Sequence, residues 1–377
     1  MKKEIVYVTF NDSPGGIYKS QVIDVVKLYQ ENGINANLIA FISLRNFFKD
    51  RKKIKSYLPK SRIFPSFPKL RFWKFNKFWF IFLKFNSATV VIARNVFAFN
   101  LFLEKKLKLK RLIYDGRGAV CAEHLEYDIY NGTGIEKSIY NLERKAVKFS
   151  DYRIAVSSKL VDYWVQNYGY IPGNEVVIPC TVSSYFHYER NENRISEIKN
   201  SLGIKENDIV LIYSGSIAEW QSLKFIEDLI RNLFVRNKNL KLIFLSKNHN
   251  SIKKLKNEYP DRIFQLFVPH KEVPSYLDVA HFGILVRKKS TTNKVSSPVK
   301  CAEYLSRGLK VIISPGIGDY SEQILLNDLG FVVKDQKKLP RLTSVDLRKD
   351  YQKKYAIKNL TKSSELILNN YLSLLEI

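Results

Sequence analysis

Short apolar runs alternate with longer stretches in which apolar residues recur at helical spacing, and this alternation continues along most of the chain. The first run, Glu4–Phe10, is rich in β-branched and aromatic residues. The loop Asn11–Gly16 follows, and then a helical pattern over Tyr18–Glu31. Alternating strand and helix patterns favour parallel sheets covered by helices on both faces. The sequence therefore predicts an α/β protein that opens with a Rossmann-like β-loop-α-β unit.

The alternation is interrupted by the polar stretch Glu189–Lys205, and a new apolar strand pattern begins at Asp208. A chain of 377 residues fits roughly two domains. We therefore predict two doubly wound, Rossmann-like domains, residues 1–188 and residues 189–377. The last helical pattern, within Val345–Ile377, is a candidate to pack back toward the N-terminal domain.

Loops after the predicted strands hold the first candidates for ligand contacts, because parallel sheets bind ligands at the carboxyl ends of their strands. The loop that contains Gly15 and Gly16 lacks the GxGxxG spacing, so it gives little support for a nicotinamide or flavin dinucleotide site. These glycines form either a tight turn or a ligand contact, and the sequence leaves both interpretations open.

Polar residues also follow the predicted strand Arg111–Asp115, namely Asp115, Arg117, Glu123 and His124. Asp115 and Arg117 either orient a bound sugar or form an ion pair that pins the loop. Glu123 and His124 are candidates for acid–base chemistry, although a lone histidine is more often structural. We predict these four residues as the catalytic group of the N-terminal domain.

The stretch Ser296–Asp319 has the pattern of a loop, a helix, a strand and a second loop. Pro298 suits the first turn of a helix because it has no N–H to leave unpaired, and Gly308 suits the helix end. A helix N-terminus that faces a glycine-rich loop is a candidate anion site. An ordinary α/β unit gives the same pattern, so the stretch alone does not decide between them.

Composition adds a strong charge bias: 62 basic against 36 acidic residues give a formal net charge of +26. Such an excess implies attraction to polyanions, whether nucleic acid, anionic lipid or phosphorylated substrates. The cysteines Cys121, Cys180 and Cys301 form no CxxC pair, which indicates neither a zinc site nor a disulfide scaffold and favours a reducing compartment. The start of the chain reads as a first strand and not a signal peptide, and no apolar run is long enough for a transmembrane helix.

Aromatic and basic residues are concentrated between positions 51 and 103, a stretch with 12 Lys or Arg residues and no Asp or Glu. Within Arg62–Asn86 there are ten Phe or Trp residues. Taken as a helix, Lys69–Phe85 places basic residues on one side and rings on the other, which favours an interfacial membrane helix. A core helix and a single-stranded nucleic-acid surface are the alternatives. The predicted membrane contacts are Arg71, Trp73, Lys74, Lys77, Phe78, Trp79 and Phe82.

Six segments resemble, in the same order, motifs of GT-B fold glycosyltransferases, in particular those of retaining family 4. The most specific is Ser297-Pro298-Val299-Lys300 followed by Glu303-Tyr304 and Gly308, which is similar to the family's SPxK…EYxxxG donor segment. The others are Tyr114–His124, Ala155–Leu160, Val177–Val182, Tyr213–Gln221 and Val268–Leu277. The resemblance covers nearly the whole chain and implies two Rossmann-like domains that face each other across a cleft.

The resemblance implies a nucleotide-sugar donor bound by the C-terminal domain, with no metal or other cofactor. Helix N-termini and basic side chains would neutralise the diphosphate, and Glu303 would accept hydrogen bonds from the ribose. Arg287 is either a phosphate clamp or part of a solvated basic run. With the loop glycines Gly15 and Gly16, the donor-binding candidates are Gly215, Ser216, Val268, Arg287, Ser297, Pro298, Val299, Lys300 and Glu303.

This chain departs from the family pattern at two places. Val295 occupies the position of the first glutamate of the frequent E-x7-E pattern, and Glu219-Trp220-Gln221 occupies the place of the usual basic pair. We therefore expect neutralisation of the diphosphate to rest on Arg287.

The implied function is transfer of a sugar to a lipid-linked saccharide in bacterial surface polysaccharide biosynthesis, such as that of capsule or O-antigen. The implied partners are a nucleotide-sugar, a lipid-linked saccharide and an anionic membrane surface, with no nucleic acid. The implied location is cytoplasmic, at the inner face of the membrane. The alternatives are a basic nucleic-acid-binding protein, for which no recognisable module is present, and a non-catalytic relative.

Overall fold

The computed structural model describes residues 4–105, 107–335, 342 and 349–376. The chain divides into two compact units by its internal contacts. Unit 1 comprises Met1–Thr181 and Lys362–Ile377, and unit 2 comprises Val182–Thr361. The boundary predicted from the sequence was after residue 188, whereas the contacts assign residues 182–188 to unit 2 and the C-terminal residues to unit 1.

Within the described residues, unit 1 forms a seven-stranded sheet in which neighbouring strands are parallel and the order is β3-β2-β1-β4-β5-β6-β7. The strand order reverses between β1 and β4, which is where doubly wound sheets bind ligands. The strands are β1 (Glu4–Phe10), β2 (Asn35–Ser43), β3 (Arg62–Ser66), β4 (Thr89–Arg94), β5 (Arg111–Gly116), β6 (Tyr152–Ala155) and β7 (Glu175–Val177). The helices are α1 (Gly16–Tyr18), α2 (Asp24–Glu31), α3 (Phe47–Tyr57), α4 (Asn95–Lys105), α5 (Val120–Tyr127), α6 (Ile139–Phe149) and α7 (Ser158–Tyr168).

Unit 2 forms, within the described residues, a six-stranded parallel sheet in the order β10-β9-β8-β11-β12-β13. Its order reverses between β8 and β11. The strands are β8 (Ile209–Ser214), β9 (Leu240–Leu245), β10 (Ile263–Leu266), β11 (Phe282–Leu285), β12 (Lys310–Ile313) and β13 (Gly330–Val332). The helices are α8 (Glu192–Ser201), α9 (Leu223–Arg236), α10 (Asn250–Glu258), α11 (Val273–Val279), α12 (Thr291–Lys294), α13 (Val299–Ser306), α14 (Tyr320–Leu326) and α15 (Lys349–Asn359).

Both sheets are stabilised by burial on both faces, as their continuous apolar strands require. Every residue of β4 and of β8 is buried. The last helix of the chain, α16 (Glu365–Ser373), adds Ile367 and Tyr371 to the core of unit 1. Complete burial of one such side chain stabilises the fold by about 1.5–3 kcal/mol.

The predicted fold class is confirmed: the chain contains two parallel-sheet α/β units. Strand β3 and helix α3 were not predicted, and the polar stretch Glu189–Lys205 contains α8. Of the predicted helical tail, residues 345–348 and 377 lie outside the described residues. None of the helices in the described part of the chain combines the length and the apolar character that crossing a membrane requires.

Candidate active site

Unit 2 brings several of the predicted donor-binding residues to the carboxyl ends of β8 and β11, where its strand order reverses. Strand β8 ends at Ser214, directly before Gly215, and β11 ends two residues before Arg287. Helix α13 begins at Val299 and carries Lys300 and Glu303. This edge is where parallel sheets bind ligands.

Tyr304 fixes the position of α13 against the sheet. Its ring packs over Gly283, where an added Cβ would lie 2.2 Å from the ring atom Cδ2, and its hydroxyl accepts a hydrogen bond from the Ser214 N–H at 2.9 Å. Residues four apart lie on one face of a helix, so Lys300 is directed to the same edge. A Cβ at Gly215 would lie 2.2 Å from Lys300 Cε, and Gly215 has a φ of 150°, so both space and backbone conformation require glycine there.

Two buried basic side chains, Arg287 and Lys300, share one acceptor, and we call them the basic pair. Lys300 Nζ donates to Gln221 Oε1 at 2.8 Å, and Arg287 Nη2 donates to the same oxygen at 3.1 Å. Arg287 Nη1 also donates to Asn293 Oδ1 at 3.1 Å. The ammonium of Lys300 lies 4.0 Å from the centre of the Tyr213 ring, a cation–π contact. The basic pair lies beside the ends of β8 and β11, the switch point of unit 2.

Burial lowers the pKa of Lys300 well below its usual value, and the neighbouring charge of Arg287 lowers it further, while Glu303 raises it. Among the described residues, Lys300 has no ion pair within 4.0 Å. Addition of an anion at this position would favour the protonated amine. A bound anion would therefore stabilise the charged form of the basic pair.

Glu303 lies one turn after Lys300 on α13 and is buried. Its Oε1 lies 3.3 Å from His270 Nε2, and His270 Nδ1 shares a hydrogen bond with the Tyr185 hydroxyl. His270 is half exposed, so the carboxylate is held by a partner that borders solvent. A carboxylate held in this way can accept hydrogen bonds from vicinal hydroxyls.

The remaining donor candidates of unit 2 lie around these groups. Pro298 precedes the first turn of α13, with Ser297 before it and Val299 after it. Ser216 is exposed in the loop after β8, and Val268 is half-buried after β10, packed against the core.

Unit 1 places Asp115 and Arg117 in one buried charge cluster. Asp115 is fully buried, and its carboxylate accepts hydrogen bonds from Arg117 Nη2 at 3.0 Å and from the Tyr7 hydroxyl. Arg117 Nε lies 2.7 Å from the other carboxylate oxygen. Arg94, the last residue of β4, lies 3.9 Å from Asp115 and 3.4 Å from Asp12. The ion pair of Asp115 and Arg117, one of the two predicted alternatives, thus forms within a larger group that also includes Arg94 and Asp12.

A cavity of about 350 Å³ adjoins this cluster at the switch point of unit 1. The loops after β1, β4 and β5 form it together with α5, so it occupies the position that doubly wound sheets use for ligands. Its lining combines charged groups with aromatic rings, a mixture suited to polar ligands with apolar faces. The lining includes Phe10, Asp12, Arg94, Phe97, Tyr114, Arg117, Glu123 and Tyr130.

Two carboxyl groups with raised pKa values lie at or near this cavity: Glu123 lines it, and Glu143 accepts a hydrogen bond from the N–H of Val120, another lining residue. Burial raises the pKa of Glu143 to about 7, against the lowering effect of hydrogen bonds from the Cys121 and Val120 N–H groups and the Tyr168 hydroxyl. Burial, with the nearby charge of Glu143, raises the pKa of Glu123 to about 7 as well. A carboxyl group that titrates near neutral pH can give or accept a proton under working conditions. Glu123 lines the cavity and therefore has both the position and the pKa for that role.

His124 and the glycines of the first loop are less closely involved. His124 follows Glu123 on α5, and its ring contacts Tyr130 with centres 5.9 Å apart. Its buried Nδ1 has no hydrogen-bond partner among the described residues. Gly15 and Gly16 belong to unit 1 and form the start of α1, where the Gly15 N–H donates to the Ser13 carbonyl in a tight turn.

The predicted interfacial helix has a different form: Leu70–Phe82 is a 3₁₀ helix. Because side chains three apart eclipse in this helix, Phe72, Phe75, Phe78 and Ile81 form one line, which we call the aromatic row. These side chains are 36, 60, 54 and 64% exposed. The row, rather than a face with a 3.6-residue period, is the apolar surface of this segment.

Several of the predicted membrane contacts therefore change. Trp73 is buried against Phe97, with ring centres 6.0 Å apart, and is removed from the surface. Trp79 is half-buried and donates through Nε1 to the Pro65 carbonyl at 2.9 Å. Phe82 is exposed, as are Arg71 and Lys74.

The basic side of the segment is partly compensated by an acidic residue. Lys74 and Lys77 both pair with Glu104 of α4, at 3.1 and 2.6 Å. Two lysines therefore share one carboxylate, and the segment keeps a positive balance.

Sequence reasoning did not single out Tyr7, Arg94, Glu143, His270 or the contact of Gln221 with the basic pair. Arg94 is the last residue of a strand at the switch point, so it could have been predicted if the strand order had been known. Glu143 lies in the middle of α6, and no local pattern marks it. Within the described part of the chain, no group of three or more His, Cys, Asp or Glu side chains is arranged to hold a metal ion.

No protein-family model and no curated protein sequence matches the chain, but solved structures do. Sucrose-phosphate synthase from Thermosynechococcus elongatus has a TM-score of 0.69 at 10% identity, over 99% of this chain and 97% of that one. Anabaena HepE in complex with UDP-glucose has a TM-score of 0.68 at 13% identity, over 99% and 98%. WaaG, a glycosyltransferase involved in lipopolysaccharide biosynthesis, has a TM-score of 0.63 at 12% identity, over 98% of each chain. The chain thus has the GT-B fold of these glycosyltransferases.

Proposed function

We propose that this chain is a nucleotide-sugar-dependent glycosyltransferase in which unit 2 binds the donor. The observation that carries the proposal is the buried basic pair, Arg287 and Lys300, at the switch point of unit 2 and beside the start of α13. A leaving diphosphate develops negative charge as the glycosidic bond breaks, and preorganised cations stabilise such charge most effectively in a buried site. Glu303 then binds the ribose.

The proposal assigns neutralisation of the diphosphate to side chains and α13, without a metal. The resemblance to retaining family 4 supports this assignment, as does HepE, a structure with the same fold that was solved with UDP-glucose. Transfer with retention of anomeric configuration is the stereochemical outcome that we propose.

Unit 1 binds the acceptor on this proposal. Its cavity offers carboxylates, arginines and aromatic rings, and Glu123 can accept the proton of an attacking hydroxyl. The acceptor is a lipid-linked saccharide of a bacterial surface polysaccharide, such as capsule or O-antigen. A membrane-bound acceptor is consistent with the exposed aromatic row of the same unit.

Turnover with a panel of nucleotide-sugars tests the proposal. The purified chain is incubated with each nucleotide-sugar and a bacterial lipid extract, and release of nucleoside diphosphate is measured. We expect one donor to be consumed and its nucleoside diphosphate to raise the melting temperature of the protein. The anomer of the product, read by NMR, decides between retention and inversion. Absence of both turnover and nucleotide binding across the panel would contradict the proposal.

The protein is bound peripherally, on this proposal, to the cytoplasmic face of an anionic membrane. Exposed rings of the aromatic row enter the headgroup region, and Arg71, Lys74 and the uncompensated charge of the segment meet anionic lipid. The cysteines Cys121, Cys180 and Cys301 are buried thiols, which suits a reducing compartment.

Substitution of Phe75, Phe78 and Ile81 by serine is expected to release the protein from vesicles of phosphatidylcholine and phosphatidylglycerol. Three exposed apolar side chains contribute about 1 kcal/mol each when partly buried at the interface, so the partition coefficient should fall about 100-fold. Sedimentation with the vesicles measures it. Val235, Leu325 and Leu326 of unit 2 are at least as exposed, and their serine variant is the matched control, expected to bind as wild type. Equal binding by both triple variants would show that the row does not contact lipid.

A further inference from the structure

Gln221 holds an unusual place in the donor region. Its side chain is only 6% exposed, and its single amide oxygen accepts hydrogen bonds from both members of the basic pair, Lys300 and Arg287. These donors are themselves 9% and 6% exposed. A neutral oxygen thus stands where two basic groups converge, in a part of the unit from which water is largely excluded.

An amide oxygen is a weaker partner for such donors than an anionic oxygen. A charged donor already strengthens its bond to the amide oxygen, and an anionic acceptor adds the attraction between opposite charges in a buried site. The other contact of Lys300 is with the Tyr213 ring, which carries no net charge. The pKa of Lys300 is lowered because burial and the charge of Arg287 disfavour the protonated amine more than Glu303 favours it. A phosphate oxygen at the position of the amide oxygen would therefore bind more strongly than Gln221 does.

The backbone next to Gln221 is held in place by contacts that do not involve its side chain. Gln221 ends a short 3₁₀ turn, and the next residue, Ser222, accepts a hydrogen bond from the Lys288 N–H at 3.0 Å through its hydroxyl. This bond ties the turn to the segment that follows Arg287. The loop at Gly215 lies against Lys300, because a Cβ there would come within 2.6 Å of Nζ. A diphosphate that approaches this glycine reaches the amine without hindrance from a side chain.

We propose that the Gln221 amide oxygen occupies, in the unliganded protein, the position that a phosphate oxygen of the donor's diphosphate takes. Binding of the diphosphate displaces Gln221 from Lys300 and Arg287, and Gln221 returns when the nucleoside diphosphate leaves. Gln221 thereby keeps the basic pair aligned between turnovers and speeds product release. This inference rests on the proposed donor site of unit 2.

Two substitutions at Gln221 separate this role from a direct contact with the ligand. The side chain of Gln221→Leu is one bond shorter and has no acceptor, so the position of the amide oxygen is open and the ligand has no competitor for the basic pair. We expect inorganic pyrophosphate, and the nucleoside diphosphate found in the panel, to bind equally or up to about tenfold more tightly and to dissociate more slowly. If Gln221 instead contacts or positions the diphosphate, the same variant must bind it more weakly.

Gln221→Glu keeps the geometry and places a carboxylate between the two basic groups. We expect a higher melting temperature without ligand, because the neutral acceptor of both bonds becomes an anionic one, and at least about 30-fold weaker pyrophosphate binding. This variant also provides the test if Gln221→Leu does not fold. Gln265→Glu adds the same charge to strand β10 of the same unit and is the matched control, expected to bind within about twofold of wild type.

Calorimetry measures the affinities and stopped-flow fluorescence the dissociation rates. Pyrophosphate binding by Gln221→Glu at the wild-type affinity would overturn the inference, as would loss of more than about threefold in affinity by folded Gln221→Leu. Failure of the wild type to bind pyrophosphate or any nucleoside diphosphate would instead overturn the proposed function. The two failures are therefore distinguishable.

Discussion

Replacement of Lys300 by methionine is expected to lower kcat/KM for the nucleotide-sugar by about 100- to 1,000-fold, the loss typical of one preorganised group that stabilises transition-state charge. Lys300 is buried, its amine lies at the switch point of unit 2, and its hydrogen-bond partner is the uncharged Gln221. Methionine has a similar volume and removes a buried basic group, so the free energy of unfolding should change little. Steady-state kinetics with the donor found in the panel measures the effect.

Lys310 offers a matched control for this substitution. It is also a buried lysine of unit 2 next to an aromatic ring, with its amine 5.8 Å from the centre of Phe331, but it begins strand β12 and so lies at the opposite edge of the sheet. We expect Lys310→Met to keep kcat/KM within about threefold of wild type. Equal losses in both variants, or no loss in folded Lys300→Met, would contradict the role given to Lys300.

The lowered pKa of Lys300 provides a second test with the Lys300→Met variant. Burial and Arg287 lower this pKa, and Glu303 raises it, while the nearby Tyr213 ring is uncharged. A bound diphosphate favours the protonated amine, so binding should take up a proton at a pH between the free and bound pKa values. Between the lowered pKa of Lys300 in the folded protein and the ordinary lysine pKa, the unfolded state binds more protons than the folded state. The contribution of Lys300 to the free energy of unfolding therefore rises with pH over this range. Calorimetry in buffers of different ionisation enthalpy should show proton uptake by wild type and none by Lys300→Met.

The sequence was sufficient for the fold because its strands are continuous apolar runs buried on both faces. Glu4–Phe10 was predicted with the bounds that the structure has, and the restart of the pattern near residue 208 matches the start of β8 at Ile209. Strand β3 was missed because it is a half-exposed edge strand that contains Pro65, which contradicts an ordinary strand pattern. The pattern of apolar residues predicts a strand reliably only where the strand is buried on both faces, and not where it lies at the edge of a sheet.

The candidate site was only partly predictable for a different reason. Lys300 and Glu303 stand on one helix with a recognisable motif, so sequence spacing found them. Gln221 contacts Lys300 across 79 positions of sequence, and the Tyr7 contact with Asp115 spans 108. Such contacts depend on strand order, which a single sequence does not specify. The same holds for the aromatic row, whose three-residue period arises from a 3₁₀ helix that the apolar pattern did not distinguish from an α-helix.

Replacement of Asp115 by alanine is expected to lower the free energy of unfolding of unit 1 by about 3–5 kcal/mol, because it leaves the buried Arg117 without its counter-charge, while Arg94 keeps Asp12 at 3.4 Å. The carboxylate of Asp115 accepts from Arg117 at 3.0 Å and lies 3.9 Å from Arg94, and both guanidinium groups are largely buried. Urea unfolding followed by tryptophan fluorescence reports mainly on unit 1, which holds Trp73, Trp79 and Trp164.

A double-substitution cycle distinguishes this charge effect from simple loss of packing. If unpaired charge is the cause, Arg117→Met in the Asp115→Ala background should restore part of the lost free energy, since it removes the guanidinium that Asp115 contacts most closely. Asp151→Ala is the control: this aspartate is exposed and accepts one hydrogen bond, from the Leu112 N–H at 2.7 Å, so its loss should cost about 0.5–1.5 kcal/mol. A double variant less stable than Asp115→Ala would show that packing, and not charge, dominates at this position. The cluster would then be a structural part of the sheet edge, and the acceptor role of unit 1 would rest on the cavity and Glu123 alone.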